Sequence, residues 1–236
     1  MVLFDIDGTL LRRAGPHHRT ALEDAVERVA GIEVSIDGIA VQGMLDRDII
    51  ALAMRAAGAT AREVREQLPR IMKRAQWLYA RSCPDLSRKV CPGARGALER
   101  LRRQRTPLGL VTGNLSRIGW KKLECAGLRP YFRFGVFDEE GHTRTALARL
   151  ALARARREGW IGRDSVVALV GDHPNDILAA RAAGMRSVAV ATGLSPVAEL
   201  AAHEPDYLLE TLNEFRLSMI SATGGRNEAR KPVRTM

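Results

Sequence analysis

The sequence VLFDIDGT, residues 2–9, begins the chain with a short apolar run that ends in two carboxylates. A short continuous run of apolar residues is typical of a strand in a parallel sheet that helices cover on both faces. Side chains two positions apart on a strand point to the same side, so Asp5 and Asp7 are expected to converge on one site. Gly8 permits a tight turn that brings Thr9 close behind them. The stretch therefore predicts a strand with paired acids at its carboxyl end.

Three later segments repeat the short apolar run, at residues 107–112, 166–170 and 187–191. Segments with helical patterns lie between them, and residues typical of helix ends, such as Pro174 and Gly184, bound them. The predicted helices span residues 94–104, 115–126, 145–158 and 174–183. Strands that alternate with helices predict an α/β fold whose core is a Rossmann-like, doubly wound parallel sheet.

The segment from residue 15 to residue 90 breaks this alternation with helical patterns alone. Thr60 and Glu63 have the spacing of a capping box, and a stripe of apolar residues follows them. Pro69 lies within that stripe and is expected to kink or split the helix. The predicted division is a helical cap of residues 15–90, inserted into a discontinuous core of residues 1–14 and 91–221.

The charge of the chain is strongly positive, with a formal net charge of +10 at pH 7. The basic residues are spread along the whole chain and mixed with acids, and no recognition helix, aromatic RNA platform or zinc finger accompanies them. We therefore expect no specific nucleic-acid partner, although a positive field would attract small phosphorylated metabolites. Residues 222–236 lack periodicity and predict a disordered basic tail.

Length and composition favour a soluble enzyme-sized domain, since 46% of the 236 residues are apolar. No apolar run is long enough to span a bilayer, and Met1 leads directly into the first strand without a signal peptide. A cytoplasmic monomer or homodimer without membrane partners is expected. The three cysteines are irregularly spaced, which disfavours a zinc site or a disulfide framework.

Polar residues also follow two other predicted strands. Thr112, Gly113 and Asn114 come after one apolar run, and a hydroxyl with free N–H groups at a helix start suits a phosphate oxygen. Asp172 and Asp176 come after another run, around the helix start at Pro174. Taken singly, each of these groups is equally consistent with helix capping. Taken together with Asp5 and Asp7, they predict a phosphate site beside a cation such as Mg²⁺, which prefers oxygen ligands.

These motifs resemble those of the haloacid dehalogenase superfamily, in its phosphatase branch. The segment DIDGTL, residues 5–10, matches the first motif D-x-D-G-T-L, and Thr112 matches the second. Gly171, Asp172 and Asp176 match the fourth motif, G-D-x-x-x-D. The resemblance covers roughly residues 1–220 and is strongest to phosphoglycolate-phosphatase-like members, which carry a helical cap after the first motif.

The third motif departs from the family, which usually supplies a Lys before a helix at this point. Residues 138–152 contain no Lys, and Arg144 occupies the corresponding place. Arg can bind phosphate with two donors, so it could keep the role. Lys122 is the alternative, but its place on a helix predicts a solvated side chain. His173, inside the fourth motif, could line the site or only pack at the helix start.

The resemblance implies Mg²⁺-dependent hydrolysis of a small, phosphoglycolate-like phosphomonoester. Asp5 would be the nucleophile and would form an aspartyl-phosphate, while Asp7 would be the general acid and base. The implied metal site consists of Asp5, Asp7 through its main-chain carbonyl, Asp172 and Asp176, the last of which would orient the cluster. Thr112 and Arg144 would hold the phosphoryl group, and the further substrate-binding candidates are Gly8, Thr9, Gly113, Asn114 and Arg47.

Three alternatives remain open from the sequence. A sugar-phosphate mutase shares the first motif and would need only a cap that retains the phosphorylated intermediate. Dehalogenation is disfavoured, because those members do not use a metal or the second acid, here Asp7. A regulatory or binding protein on the same scaffold is disfavoured by the four intact acids.

Overall fold

The computed structural model describes residues 1–12 and 15–221, so the predicted tail at residues 222–236 lies outside the described part. Within it, six strands form one parallel sheet in the order β3-β2-β1-β4-β5-β6. The strands are β1 (Val2–Phe4), β2 (Leu108–Val111), β3 (Phe134–Val136), β4 (Ala168–Gly171), β5 (Arg186–Val190) and β6 (Tyr207–Leu209). The prediction of a doubly wound α/β core is confirmed, and the sequence analysis missed β3 and β6.

Eight α-helices accompany the described strands. They are α1 (His17–Ala30), α2 (Asp46–Ala56), α3 (Ala61–Ser82), α4 (Ala94–Arg103), α5 (Ser116–Cys125), α6 (Arg144–Arg157), α7 (Pro174–Ala182) and α8 (Val197–Ala202). None of them is long and apolar enough to cross a membrane. Short 3₁₀ turns occupy Ser87–Lys89, Arg129–Tyr131, Asp138–Glu140 and Leu217–Ile220.

The sheet is buried on both faces because side chains alternate along each strand. In β1, Val2 and Phe4 join the apolar cluster that contains residues of α4 and α5, whereas Leu3 joins the cluster that contains residues of α6 and α7. All three β1 side chains are fully buried. The central strand therefore places its carboxyl end between two layers of helices, at the edge where parallel α/β sheets bind ligands.

Helices α1, α2 and α3 pack around a separate apolar cluster, with Leu22, Ile50, Ile71 and Tyr79 among its fully or almost fully buried members. Leu115 and Ile118, at the start of α5, complete that cluster, so the three helices rest on the core through α5. This packing is compatible with the predicted cap, whose limits at residues 15 and 90 stay a prediction.

The capping box at the start of α3 is confirmed. Thr60 Oγ1 accepts a hydrogen bond from Glu63 N at 3.2 Å, and the Glu63 carboxylate accepts one from Thr60 N at 2.7 Å. The helix is not split at Pro69, because α3 runs from Ala61 to Ser82 with Pro69 inside it, and the other expectation, a kink at Pro69, stays a prediction. The apolar face against α1 and α2 holds the helix together in spite of the missing N–H.

Candidate active site

Three neighbouring strands bring the predicted motifs together. Asp5 follows β1, Thr112 follows β2 and Asp172 follows β4, and β1 lies between the other two strands. The main chain continues the sheet one step beyond β1, since Asp5 N donates to Val170 O at 2.9 Å. The side chains that the sequence placed on separate segments therefore meet at one edge of the sheet.

A cluster of three carboxylates forms the centre of this edge. Asp5, Asp172 and Asp176 each offer an oxygen within 4.8 Å of the others, and all three residues are buried. Thr9 Oγ1 donates to Asp172 Oδ1 at 2.9 Å, which fixes one member of the cluster. We call these three residues the acid trio.

The three buried carboxylates of the acid trio repel one another. Burial, followed by repulsion from Asp5 and Asp176, raises the pKa of Asp172 above its ordinary value. Burial likewise raises the pKa of Asp176, and Asp5 adds to that effect while Arg144 opposes it. Asp176 Oδ1 is buried without a hydrogen-bond partner among the described residues. An all-oxygen donor set with an unsatisfied buried oxygen fits a hard divalent cation such as Mg²⁺.

Arg144, the first residue of α6, lies against the acid trio and is itself buried. Its two terminal nitrogens donate to the two carboxylate oxygens of Asp5, each at 3.2 Å. Its Nε lies 3.1 Å from Asp176 Oδ1 as an ion pair, although neither atom makes a hydrogen bond. Burial acts to lower the pKa of Arg144, but the carboxylates of Asp176 and Asp5 raise it overall. Arg144 thus lies beside the predicted nucleophile, and its role in place of the third-motif Lys stays a prediction.

The carboxylate of Asp7 does not join the acid trio. Lys122 Nζ donates to Asp7 Oδ1 and Oδ2 at 2.8 and 2.6 Å, and Asn114 Nδ2 donates to Oδ2 at 2.8 Å. Burial acts to raise the pKa of Asp7, but the charge of Lys122 and the hydrogen bonds from Lys122 and Asn114 lower it overall. The two first-motif carboxylates therefore have different partners, and their convergence on one substrate stays a prediction.

The prediction of a solvated Lys122 is wrong, since only 1% of this residue is exposed. It lies on α5 four residues after Ile118 and seven after Leu115, both fully buried. Residues at that spacing share one face of a helix, so a count from Leu115 would have placed Lys122 on the inner face. The sequence signal was present, but the charge of the side chain was given more weight than its position.

The second-motif segment forms a bonded network beside Asp7. Thr112 is fully buried, and its Oγ1 accepts from Asn114 Nδ2 at 2.8 Å. Asn114 Oδ1 accepts from Lys122 Nζ at 2.6 Å. Gly113 O accepts from Asp46 N at 2.9 Å, which is a direct contact between this segment and α2, a helix of the predicted cap. Thr112, Gly113 and Asn114 are therefore next to Asp7, and their contact with substrate stays a prediction.

Gly8 lies in the turn behind the two acids, with φ +83°. Its carbonyl accepts from Thr192 Oγ1 at 2.6 Å, and a Cβ at this position would overlap the carboxylate of Asp172. The predicted turn is thus observed, and its contact with substrate stays a prediction.

The structure gives Arg47 other partners than a substrate. Its side chain pairs with Asp138, which is fully buried, and Arg47 NH1 lies 2.9 Å from His142 Nδ1. Arg47 N also donates to Asp138 Oδ2 at 2.6 Å. These bonds use three of the five N–H donors of the guanidinium, and contact of Arg47 with substrate stays a prediction. His173 caps α7, with Nδ1 accepting from Asn175 N at 3.1 Å.

The comparison with known families agrees with this geometry. A model of the haloacid dehalogenase-like hydrolases matches residues 1–184. The chain therefore belongs to the haloacid dehalogenase-like hydrolase family, which confirms the resemblance found in the sequence motifs.

Individual relatives narrow the class of enzyme. The phosphoglycolate phosphatase of Vibrio parahaemolyticus is 28% identical over 218 residues, which are 91% of this chain and 93% of that protein. Pyrophosphatase PpaX of Bacillus velezensis is 30% identical over 120 residues, which are 50% of this chain and 54% of that protein. Together with the family match, these relatives confirm the predicted class, a phosphatase-type hydrolase.

Solved structures share the fold. The crystal structure of β-phosphoglucomutase from Clostridium difficile has a TM-score of 0.67 at 16% identity, and the match covers 93% of this chain and 94% of that chain. At 16% identity this similarity concerns the fold alone, a parallel sheet with helices on its two faces.

Proposed function

We propose that this enzyme hydrolyses a small phosphomonoester with the help of Mg²⁺, through an aspartyl-phosphate on Asp5. The observation that carries the proposal is the contrast between the two first-motif acids. Asp5 lies in the acid trio against Arg144, whereas the carboxylate of Asp7 is held apart by Lys122 and Asn114. Two carboxylates in different surroundings are suited to two different roles, one nucleophilic and one in proton transfer.

In the first step, a carboxylate oxygen of Asp5 attacks the phosphorus, and the bond from phosphorus to the leaving oxygen breaks. Asp7 gives its proton to that oxygen. A phosphoryl dianion beside Asp7 raises the pKa of this carboxyl by repulsion, which prepares it to carry the proton. In the second step, Asp7 takes a proton from water, the water oxygen attacks phosphorus, and inorganic phosphate leaves Asp5.

The remaining groups stabilise charge on the transferring phosphoryl group. Arg144 would exchange part of its pairing with Asp5 for phosphoryl oxygens, since a guanidinium presents two parallel donors. Asp5, Asp172, Asp176 and the main-chain carbonyl of Asp7 would hold Mg²⁺, which neutralises negative charge on the reacting group when bound. The cap helices would exclude water and select the leaving group.

The substrate class is a small phosphorylated metabolite. A phosphoglycolate-like ester is the first candidate, because phosphoglycolate phosphatases align with most of the chain. Pyrophosphate should be tested as a second candidate substrate, because a pyrophosphatase aligns with half of the chain. A mutase would instead return an isomerised sugar phosphate with little free phosphate.

The deciding experiment is a substrate screen of purified protein with the variant Asp5→Asn in parallel. We expect Mg²⁺-dependent release of free phosphate from at least one ester, its loss in EDTA, and its return when Mg²⁺ is added back. Asp5→Asn should keep the circular dichroism spectrum and lose turnover by at least about a thousandfold, because the nucleophile is gone. Retention of most activity in Asp5→Asn would overturn the mechanism.

A further inference from the structure

A buried charged network extends from Asp7 into the cap helices. The ammonium of Lys122 has three N–H donors, and it contacts Asp7, Asn114 Oδ1 at 2.6 Å and His18 Nδ1 at 3.0 Å. Its hydrogen-bonding capacity is therefore fully used. A lysine this deeply buried requires such pairing, because an unpaired ammonium is costly to remove from water.

His18, in the first turn of α1, links Lys122 to a second acid. An ammonium can only donate, so His18 Nδ1 accepts the hydrogen bond from Lys122, and the hydrogen of the ring then lies on Nε2. His18 Nε2 lies 3.1 Å from Asp46 Oδ2 and can donate to it. The order of donors and acceptors is thus consistent from Asp46 through His18 and Lys122 to Asp7.

Asp46 anchors the far end of this network at the contact between cap and core. It is the first residue of α2, only 2% of it is exposed, and its Oδ2 accepts from Leu115 N at 2.8 Å. Leu115 precedes α5, the helix that carries Lys122. The network therefore joins α1, α2 and α5 and leads to the carboxylate of Asp7.

We propose that Lys122 and His18 are positioning residues for Asp7, which hold its carboxylate toward the leaving-group oxygen while the cap is seated on the core. The inference rests on the proposed function, since it concerns the proton that Asp7 transfers. Two residues hold the pair formed by Asp7 and Lys122, namely Asn114 and His18, and of these only His18 lies on α1, in the predicted cap. Lifting α1 would remove one of the three partners of Lys122 and loosen its hold on Asp7.

The rival interpretation is a buried ion pair that serves folding alone. Leaving-group dependence separates the two, because an alkyl phosphate needs its departing oxygen protonated, whereas p-nitrophenyl phosphate leaves as a stable anion. A residue that positions the general acid should therefore affect the alkyl ester more. A residue that only stabilises the fold should affect both esters equally.

The experiment measures kcat/KM, which reports the steps up to the aspartyl-phosphate, for p-nitrophenyl phosphate and for the best alkyl phosphate of the screen. In Lys122→Met and in His18→Leu we expect an alkyl loss of about tenfold to a hundredfold and an aryl loss below about threefold. His18→Gln, which can still accept from Lys122 and donate to Asp46, should keep more alkyl activity than His18→Leu. Lys121→Met is the matched control, because Lys121 is partly exposed and pairs with Glu124 on the helix surface.

Equal losses on the two esters, or none, would overturn the inference while the proposed function stands. Absence of Mg²⁺-dependent turnover in the wild type would instead overturn the proposed function. If Lys122→Met fails to fold, the ratio of alkyl to aryl activity in the two His18 variants gives the decision by the same criterion.

Discussion

Asp5 and Asp7 are two positions apart, yet their carboxylates have different partners. Asp5 shares the acid trio and receives both terminal nitrogens of Arg144, and Asp7 receives Lys122 and Asn114. Each first-motif acid thus has its own cation. A single sequence motif supplies two carboxylates that have different hydrogen-bond and ion-pair partners.

The acid trio predicts a pH-dependent stability that a divalent cation removes. The pKa values of Asp172 and Asp176 are raised in the folded protein, so these groups bind protons more tightly when folded. The tighter proton binding of these two carboxyls stabilises the folded protein. This stabilisation is complete below pH 3.8, their ordinary pKa, and is lost as the pH rises through their raised pKa values. In EDTA, the free energy of unfolding should therefore fall between about pH 5 and about pH 8.

Urea denaturation across that pH range, with EDTA or with Mg²⁺, measures the effect. Mg²⁺ should flatten the decline, because it binds the ionised trio of the folded state alone. Asp172→Asn should flatten it in EDTA as well. An equally steep decline with Mg²⁺ present would contradict a cation site at these residues.

The sequence predicted which residues belong to the site where a motif fixes their spacing. It did so less well where only the fold brings distant residues together. Asp172 and Asp176 follow from the position of β4 and the start of α7. The pairing of Lys122 with Asp7 spans 115 residues of sequence, so it could not be derived without knowing how α5 lies on the sheet. The partners of Arg47 were missed for the same reason, since Asp138 is 91 residues away.

At the scale of elements, the two strands that the sequence did not predict are the edges of the sheet. β3 and β6 have three residues each and are the first and last strands in the order. An edge strand has one neighbour and needs no continuous apolar run, so its sequence is hard to distinguish from a loop. The longer predicted helices agree with the structure to within a residue or two, because their apolar periodicity and end signals coincide.

Pro69 gives a prediction about α3. Proline in a helix interior costs about 3 kcal/mol, since it removes a hydrogen bond and crowds the preceding turn. Its side chain is exposed, so replacement leaves no cavity. Pro69→Ala should raise the free energy of unfolding by about 1–3 kcal/mol in urea denaturation.

The neighbouring exposed residue supplies the control for this prediction. Arg70→Ala should change the free energy of unfolding by less than about 0.5 kcal/mol. No gain in Pro69→Ala, or the same gain in both variants, would mean that the proline does not strain the helix.

At the scale of the whole molecule, helices α1, α2 and α3, which make up the predicted cap, are joined to the rest of the chain through buried polar contacts as well as apolar ones. Arg47, at the start of α2, pairs with Asp138, which follows β3 and is fully buried. Burial raises the pKa of Asp138 to about 6, although the bonds from Arg47 oppose the rise. Removal of Arg47 leaves a buried carboxylate without its cation.

Arg47→Ala should therefore destabilise the protein by about 3 kcal/mol at pH 8, because one partner of a buried ion pair is removed. The loss should be smaller near pH 5, where Asp138 is protonated and needs no cation. Urea denaturation at both pH values measures it, and Arg62→Ala, which breaks an exposed pair with Glu66, is the control. An equal loss at both pH values would assign the effect to packing.

The carboxylate of Asp172 occupies the space that side chains at Gly8 and Gly193 would need, since a Cβ at either position would overlap it. In a saturation library, both positions should reject every replacement, alanine included, and Gly8 doubly so because its φ is positive. Laboratory evolution toward a new substrate therefore has no freedom at these two positions. Under the proposed function, useful diversity belongs in α1, α2 and the loop between them, which would face the leaving group rather than the phosphorus.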